Sequence, residues 1–84
     1  MKEIFSPTGI HRQLAMRIRS LREERKWTRE ELAEYADSHT NYIGLVERSD
    51  VNIGLANLEK IAKAFDMPLH ELLNMQTAET RNPP

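Results

Sequence analysis

Apolar side chains recur along the chain at spacings typical of α-helices. In the first predicted helix, residues 11–26, Leu14, Ile18 and Leu21 fall at i, i+4 and i+7. Three more helices are predicted at about residues 29–36, 40–48 and 55–65. A fifth begins at Pro68, a residue type favoured in the first turn. Since no segment alternates with period two, the sequence predicts an all-α domain of five short helices.

Proline and glycine mark the ends of this domain. Pro7 and Gly9 predict an irregular arm over residues 1–10. Residues 77–84 show no periodicity and end in two prolines, so a frayed tail is expected there. Residues 11–76 between them are long enough for one small domain.

Composition narrows the class of protein. The 84 residues include no cysteine, which excludes disulfides, thiolate metal sites and a cysteine nucleophile. The chain has neither an apolar stretch of the roughly 18 residues needed to cross a bilayer nor a secretory signal. We therefore expect a soluble, cytoplasmic protein with no membrane partner.

The charge is unevenly distributed, although the net charge is only −1. Between residues 11 and 29 seven cations face two acids, whereas from residue 30 onward four cations face ten acids. Such asymmetry indicates an electrostatic preference of one region for an anionic partner. The alternative is that the arginine-rich helix is simply a solvated face.

Catalysis lacks a suitable set of residues. His11, His39 and His70 lie on different predicted elements and form no His-x-x-x-His pair on one helical face. Adjacent glutamates point in different directions on a helix, and no glycine-rich phosphate-binding or Gly-x-Ser-x-Gly motif occurs. We expect no enzyme, no catalytic residue, no metal site and no cofactor.

The second and third predicted helices have the layout of a helix-turn-helix over about residues 28–48. Thr28 and Glu31 form the sequence pattern of a capping box, and a polar break of a few residues follows the short helix. The inner face of the third helix would carry Tyr42, Ile43 and Val46. Its outer face would carry Thr40, Asn41, Gly44, Leu45 and Arg48.

Four stretches in particular resemble the Cro/repressor-type helix-turn-helix family, also called the XRE family. They are IRSLR (18–22), TREELA (28–33), YIGLVER (42–48) and NLEKIAKAF (57–65). The resemblance covers residues 18–73 and extends, more distantly, to restriction-modification controller proteins. It implies a five-helix, lambda-repressor-like fold and sequence-specific regulation of transcription. It also implies a homodimer on palindromic double-stranded operator DNA.

The resemblance also assigns roles to individual residues. Thr40, Asn41, Gly44 and Leu45 occupy base-contact positions, and the Asn41 amide could bond bidentately to adenine. Arg22 and Glu47 occupy the positions of a structural ion pair. The expected phosphate contacts are Arg19, Arg29, His39 and Arg48.

Alternatives stay open for several of these residues. Asn41 could be an exposed helix-starting residue, Arg29 a solvated cation and His39 a helix cap, while Arg48 could favour the negative end of its own helix. Asp37 and Ser49 stand where the family usually has glycine. A second functional hypothesis is an antitoxin-like module that binds a protein partner through its acidic later helices, with DNA binding secondary.

Overall fold

The computed structural model describes residues 5–75, and this part of the chain folds into five α-helices without a strand. In chain order they are α1 (Gly9–Glu24), α2 (Arg29–Tyr35), α3 (Thr40–Glu47), α4 (Leu55–Ala64) and α5 (Leu69–Leu72). The predicted all-α, five-helix class is confirmed. The predicted tail, residues 77–84, and the first four residues of the predicted arm lie outside the described residues. None of the described helices is long and apolar enough to cross a membrane.

Helix α1 begins and ends two residues earlier than the pattern predicted. Gly9, expected to break regular structure, is instead the first helical residue after the N-cap Thr8. The Thr8 backbone N–H donates to Nδ1 of His11 over 3.0 Å, and this bond satisfies a donor at the helix start. At the other end Lys26 leaves the helical conformation with φ of 59°, so the predicted extension to residue 26 is wrong.

Helices α1 to α4 all end in the same way. The second residue beyond each of them has a left-handed backbone, with φ of 59°, 53°, 61° and 60° at Lys26, Asp37, Ser49 and Asp66. The next residue donates its N–H to a carbonyl five positions back, as in Ser38 to Ala33 at 2.8 Å and Asp50 to Leu45 at 2.8 Å. This is the Schellman ending, which glycine normally supplies at lower conformational cost. Asp37 and Ser49 therefore adopt the backbone that the glycines of the family would favour.

The core receives apolar side chains from every helix. Its fully buried members are Ile18, Leu32, Ile43, Val46, Ile61, Phe65 and Leu72. Trp27 covers one end of this core by stacking on Phe65, with ring centroids 5.7 Å apart and planes 7° from parallel. Ile43 and Val46 lie on one face of α3, and their burial in the core leaves the opposite face of α3 toward the solvent.

Two arginines brace the ends of helices. Arg17 donates from Nε to the Leu72 carbonyl at 3.1 Å and from Nη2 to the Glu71 carbonyl at 2.8 Å, which ties α5 to α1. Arg25 donates to the carbonyls of Leu21 and Phe65, both at 3.1 Å. Each guanidinium thus donates to carbonyls at the end of a helix, where intrahelical partners are scarce.

Candidate nucleic-acid interface

The helix-turn-helix is held in place by reciprocal bonds at the start of α2. The Glu31 N–H donates to Thr28 Oγ1 at 3.0 Å, and the Thr28 N–H donates to Glu31 Oε1 at 2.8 Å. This is the capping box that the sequence predicted, and it satisfies two donors at the helix start. The turn that follows α2 runs through residues 36–39 and delivers the chain into α3.

Helix α3 is anchored by its inner face and by its tyrosine. Ile43 and Val46 are buried, and the Asn57 amide on α4 donates to Tyr42 Oη over 3.2 Å. On the other side Asn41 is exposed, and Thr40 is half-buried at the rim. Neither the Thr40 nor the Asn41 side chain has a hydrogen-bond partner within residues 5–75. Their polar atoms are therefore available to an external partner.

A shallow groove of about 680 Å³ lies between the start of α2 and the outer face of α3. It contains all four residues that the resemblance assigned to base contact, together with two of the four assigned to phosphate. Its lining is Thr40, Asn41, Gly44, Leu45, Arg48, Arg22, Thr28, Arg29 and Glu30. We call this surface the reading groove.

The floor of the reading groove contains a buried ion pair. Arg22 Nε donates to Glu47 Oε2 at 2.7 Å and Nη2 donates to Oε1 at 3.1 Å, a bidentate arrangement that joins α1 to α3. The Glu47 side chain is only 1% exposed and that of Arg22 10%. The hydrogen bond to Glu47 raises the pKa of Arg22 and outweighs the opposing effect of desolvation. Arg22 therefore stays charged throughout the physiological range.

Arg29 is a second partner of the same carboxylate. Its Nε lies 3.1 Å from Glu47 Oε1, and its side chain is 45% exposed. Two guanidiniums therefore share the Glu47 carboxylate, and the lining of the groove also includes the Glu30 carboxylate. The alternative of a purely solvated Arg29 does not match this contact.

The other expected phosphate contacts lie around the groove. His39 is the N-cap residue of α3, as the capping alternative expected, although its exposed imidazole makes no side-chain capping bond. Arg19 is exposed on α1, where Nε lies 3.1 Å from Glu23 Oε2. Arg48, the residue after α3, donates from Nε to Asp50 Oδ2 at 3.2 Å.

Two acidic residues of this region escaped the sequence reasoning. Glu30 lines the groove, and Asp50 bonds Arg48 across the turn that ends α3. The available signal for Asp50 was its spacing of two residues from an arginine at a helix end. Among residues 5–75 no group of three or more histidines and carboxylates is arranged to hold a metal ion.

The fold and groove define a class, an all-helical domain with a capped helix-turn-helix. A profile of the Helix-turn-helix family HTH_3 matches residues 18–72. A hypothetical transcription factor from Neisseria meningitidis is 38% identical over 71 residues, 84% of this chain and 67% of the relative. Control protein C.SmaI from Serratia marcescens is 40% identical over 63 residues, 75% of each chain.

Solved structures agree with these relatives. The restriction-modification controller protein C.AhdI from Aeromonas hydrophila matches with a TM-score of 0.74 and 32% identity, over 77% of this chain and 98% of that chain. The chain belongs to the helix-turn-helix family HTH_3. It is a DNA-binding transcriptional regulator, and proteins of this kind are not enzymes.

Proposed function

We propose that this regulator binds a palindromic operator in the cytoplasm as a homodimer, and that α3 is its recognition helix. The observation that carries the proposal is the pair of unpartnered polar side chains, Thr40 and Asn41, at the start of an anchored helix. With eight residues, α3 is about 12 Å long, a length that suits the roughly 12 Å wide major groove.

The four base-contact residues offer different chemistry. Asn41 can accept from N6 and donate to N7 of one adenine, which is a sequence-specific pair of bonds. Thr40 offers a hydroxyl and a methyl group, and Leu45 offers an apolar contact to a thymine methyl. Gly44, which the sequence placed on the outer face of α3, is buried, and the Arg48 guanidinium lies 3.2 Å from where its Cβ would be, so Gly44 contributes space for Arg48 instead of a contact of its own.

Arg19, Arg29 and His39 are the proposed phosphate contacts, and Arg48 reaches the DNA from the end of α3. Arg19 and Arg29 of each protomer correspond to about four arginine–phosphate contacts in a dimer, so log affinity should fall against log salt with a slope of about −4. This slope is set by the exposed cations of the groove, since Arg17 and Arg25 donate to carbonyls within the protein. A slope near zero would contradict phosphate binding.

The homodimer proposal rests on exposed apolar surface and on a relative. Leu73 is 38% exposed, while Leu72 beside it is fully buried, so only part of the apolar set of α5 serves the core. The controller protein C.Esp1396I, with 26% identity and a TM-score of 0.72, has been crystallised as a tetramer with its natural 35 base-pair operator. Equilibrium sedimentation of the purified protein tests the dimer directly.

Selection from a random duplex library tests the proposed function. We expect an enriched palindrome whose half-sites lie about 34 Å apart, one helical turn of DNA. Asn41→Ala should abolish a preference for adenine at one position of each half-site. Ser20→Ala, which removes an exposed polar group of α1, is the matched control and should select the wild-type sequence. A library without enriched sites contradicts the proposal.

A further inference from the structure

The Arg48 side chain turns back over α3 instead of extending away from the helix end. A Cβ atom built on Gly44 would lie only 3.2 Å from Arg48 Nη1, so a side chain at position 44 would require the guanidinium to shift by a few tenths of an ångström. Residues four apart share a helical face, and side chains lean toward the start of a helix. Arg48 thereby lines the reading groove together with Thr40 and Asn41.

Asp50 pairs with this guanidinium at the protein surface. Its carboxylate accepts from Arg48 Nε at 3.2 Å, and both side chains are exposed, 61% for Arg48 and 55% for Asp50. Within residues 5–75 the terminal nitrogens Nη1 and Nη2 make no hydrogen bond and remain free to donate. The Asp50 carboxylate thus occupies only the Nε donor and leaves the two terminal donors of the guanidinium intact.

We propose that Arg48 is a base-reading residue that recognises guanine in each half-site, with Gly44 providing the space and Asp50 the orientation. Two parallel N–H donors of a guanidinium match O6 and N7 of guanine, the commonest specific pair in the major groove. The inference rests on the proposed function, and it moves Arg48 from the phosphate contacts to the specificity determinants.

The test compares wild type with Arg48→Lys, which keeps the charge but loses the planar pair of donors. Both proteins are measured on the selected operator, on the operator with each guanine replaced in turn, and on random duplex. We expect Arg48→Lys to bind the operator about fivefold more weakly or worse, since a bidentate base contact discriminates to at least that degree. The affinity of the variant for random duplex should equal that of wild type. At one guanine position per half-site, replacing the guanine should no longer lower the affinity of the variant.

The outcomes separate the two proposals. If wild type selects an operator and Arg48→Lys binds it with unchanged affinity and unchanged guanine preference, Arg48 acts through charge alone and the inference is wrong. If wild type selects no operator at all, the proposed function itself fails.

Gly44→Ala and Asp50→Asn test the two supporting features. The alanine methyl should displace the guanidinium, and the asparagine should hold it less firmly, so both variants should lose guanine discrimination severalfold while still binding random duplex. Asp66→Asn, in the corresponding turn after α4, is the matched control and should keep wild-type discrimination. If Gly44→Ala and Asp50→Asn both retain full discrimination, Arg48 is not positioned as we infer.

Discussion

Helix α1 and helix α3 differ in what their polar side chains already bind. Helix α1 carries four of the twelve Lys and Arg residues of the chain, yet Arg17 donates to carbonyls of the protein and Arg22 to Glu47. The side chains at the start of α3 carry no charge, yet Thr40 and Asn41 are unpartnered within the described residues. Charge density along a sequence therefore identifies an interface poorly, because some cations, such as the buried Arg22 and the carbonyl-bonded Arg17, stabilise the fold instead of contacting a partner.

The largest expected effect is on stability and concerns the Arg22–Glu47 ion pair, which joins α1 to α3. Glu47→Ala leaves Arg22 buried without its carboxylate and should lower the free energy of unfolding by about 3–5 kcal/mol. Glu23→Ala is the control, because that carboxylate is 56% exposed and its pairs should contribute less than about 1 kcal/mol. Urea unfolding measures both. Equal midpoints for the two variants would mean that the buried pair does not stabilise the contact of α1 with α3.

Arg17 tests whether the cations of α1 serve the fold. Arg17→Ala removes two charged hydrogen bonds to the end of α5 and should cost about 1.5–3 kcal/mol of unfolding free energy, with the salt slope of DNA binding unchanged. Arg12→Ala, an exposed cation on the same helix, should stay within about 0.5 kcal/mol of wild type. A reduced salt slope in Arg17→Ala with unaltered stability would instead place Arg17 at the DNA.

The helix ends offer a gain in stability far from the reading groove. Asp66→Gly relieves a side chain at φ of 60° and should raise the free energy of unfolding by about 1 kcal/mol. Lys63→Gly, in the last turn of α4, should lower it by about 1 kcal/mol because glycine is a poor helix former. Thermal unfolding shows whether each variant is more or less stable than wild type. A lower stability of Asp66→Gly would contradict a backbone cost at that turn.

The smallest expected effect is on DNA affinity. Glu30 lines the reading groove, so Glu30→Gln should tighten operator binding about two- to fivefold, from the roughly 0.5–1 kcal/mol of an exposed charge interaction. Glu59→Gln removes an exposed charge from α4 and should leave the affinity unchanged. Fluorescence anisotropy at one fixed salt concentration compares the two. Equal gains would indicate a long-range effect of net charge.

Local rules predicted much of the fold. The period of apolar residues located five helices, and the pattern of Thr28 and Glu31 located the start of α2 because both bonds of a capping box form within one turn. The start of α1 was missed because an imidazole, His11, replaces the usual glutamate in accepting from the Thr8 N–H.

Contacts between distant parts of the chain could be predicted from the sequence less well. The Arg17 guanidinium bonds carbonyls 54 and 55 residues away, and no feature near Arg17 in the sequence indicates this contact. Periodicity places Arg17 on a face of α1 but does not identify what that face contacts. Helical phase predicted the outer face of α3, except that Gly44 is buried, and the family resemblance supplied the roles of its residues. The bond of Asp50 to Arg48 depends instead on the path of the turn after α3.

The two bonds between Arg22 and Glu47 have a kinetic consequence. Should Arg29 swing toward a phosphate, Glu47 still accepts twice from Arg22, so the angle between α1 and α3 persists. We therefore expect encounter with the duplex to resemble rigid docking, with reorganisation confined to a few long side chains and association limited by diffusion and steering.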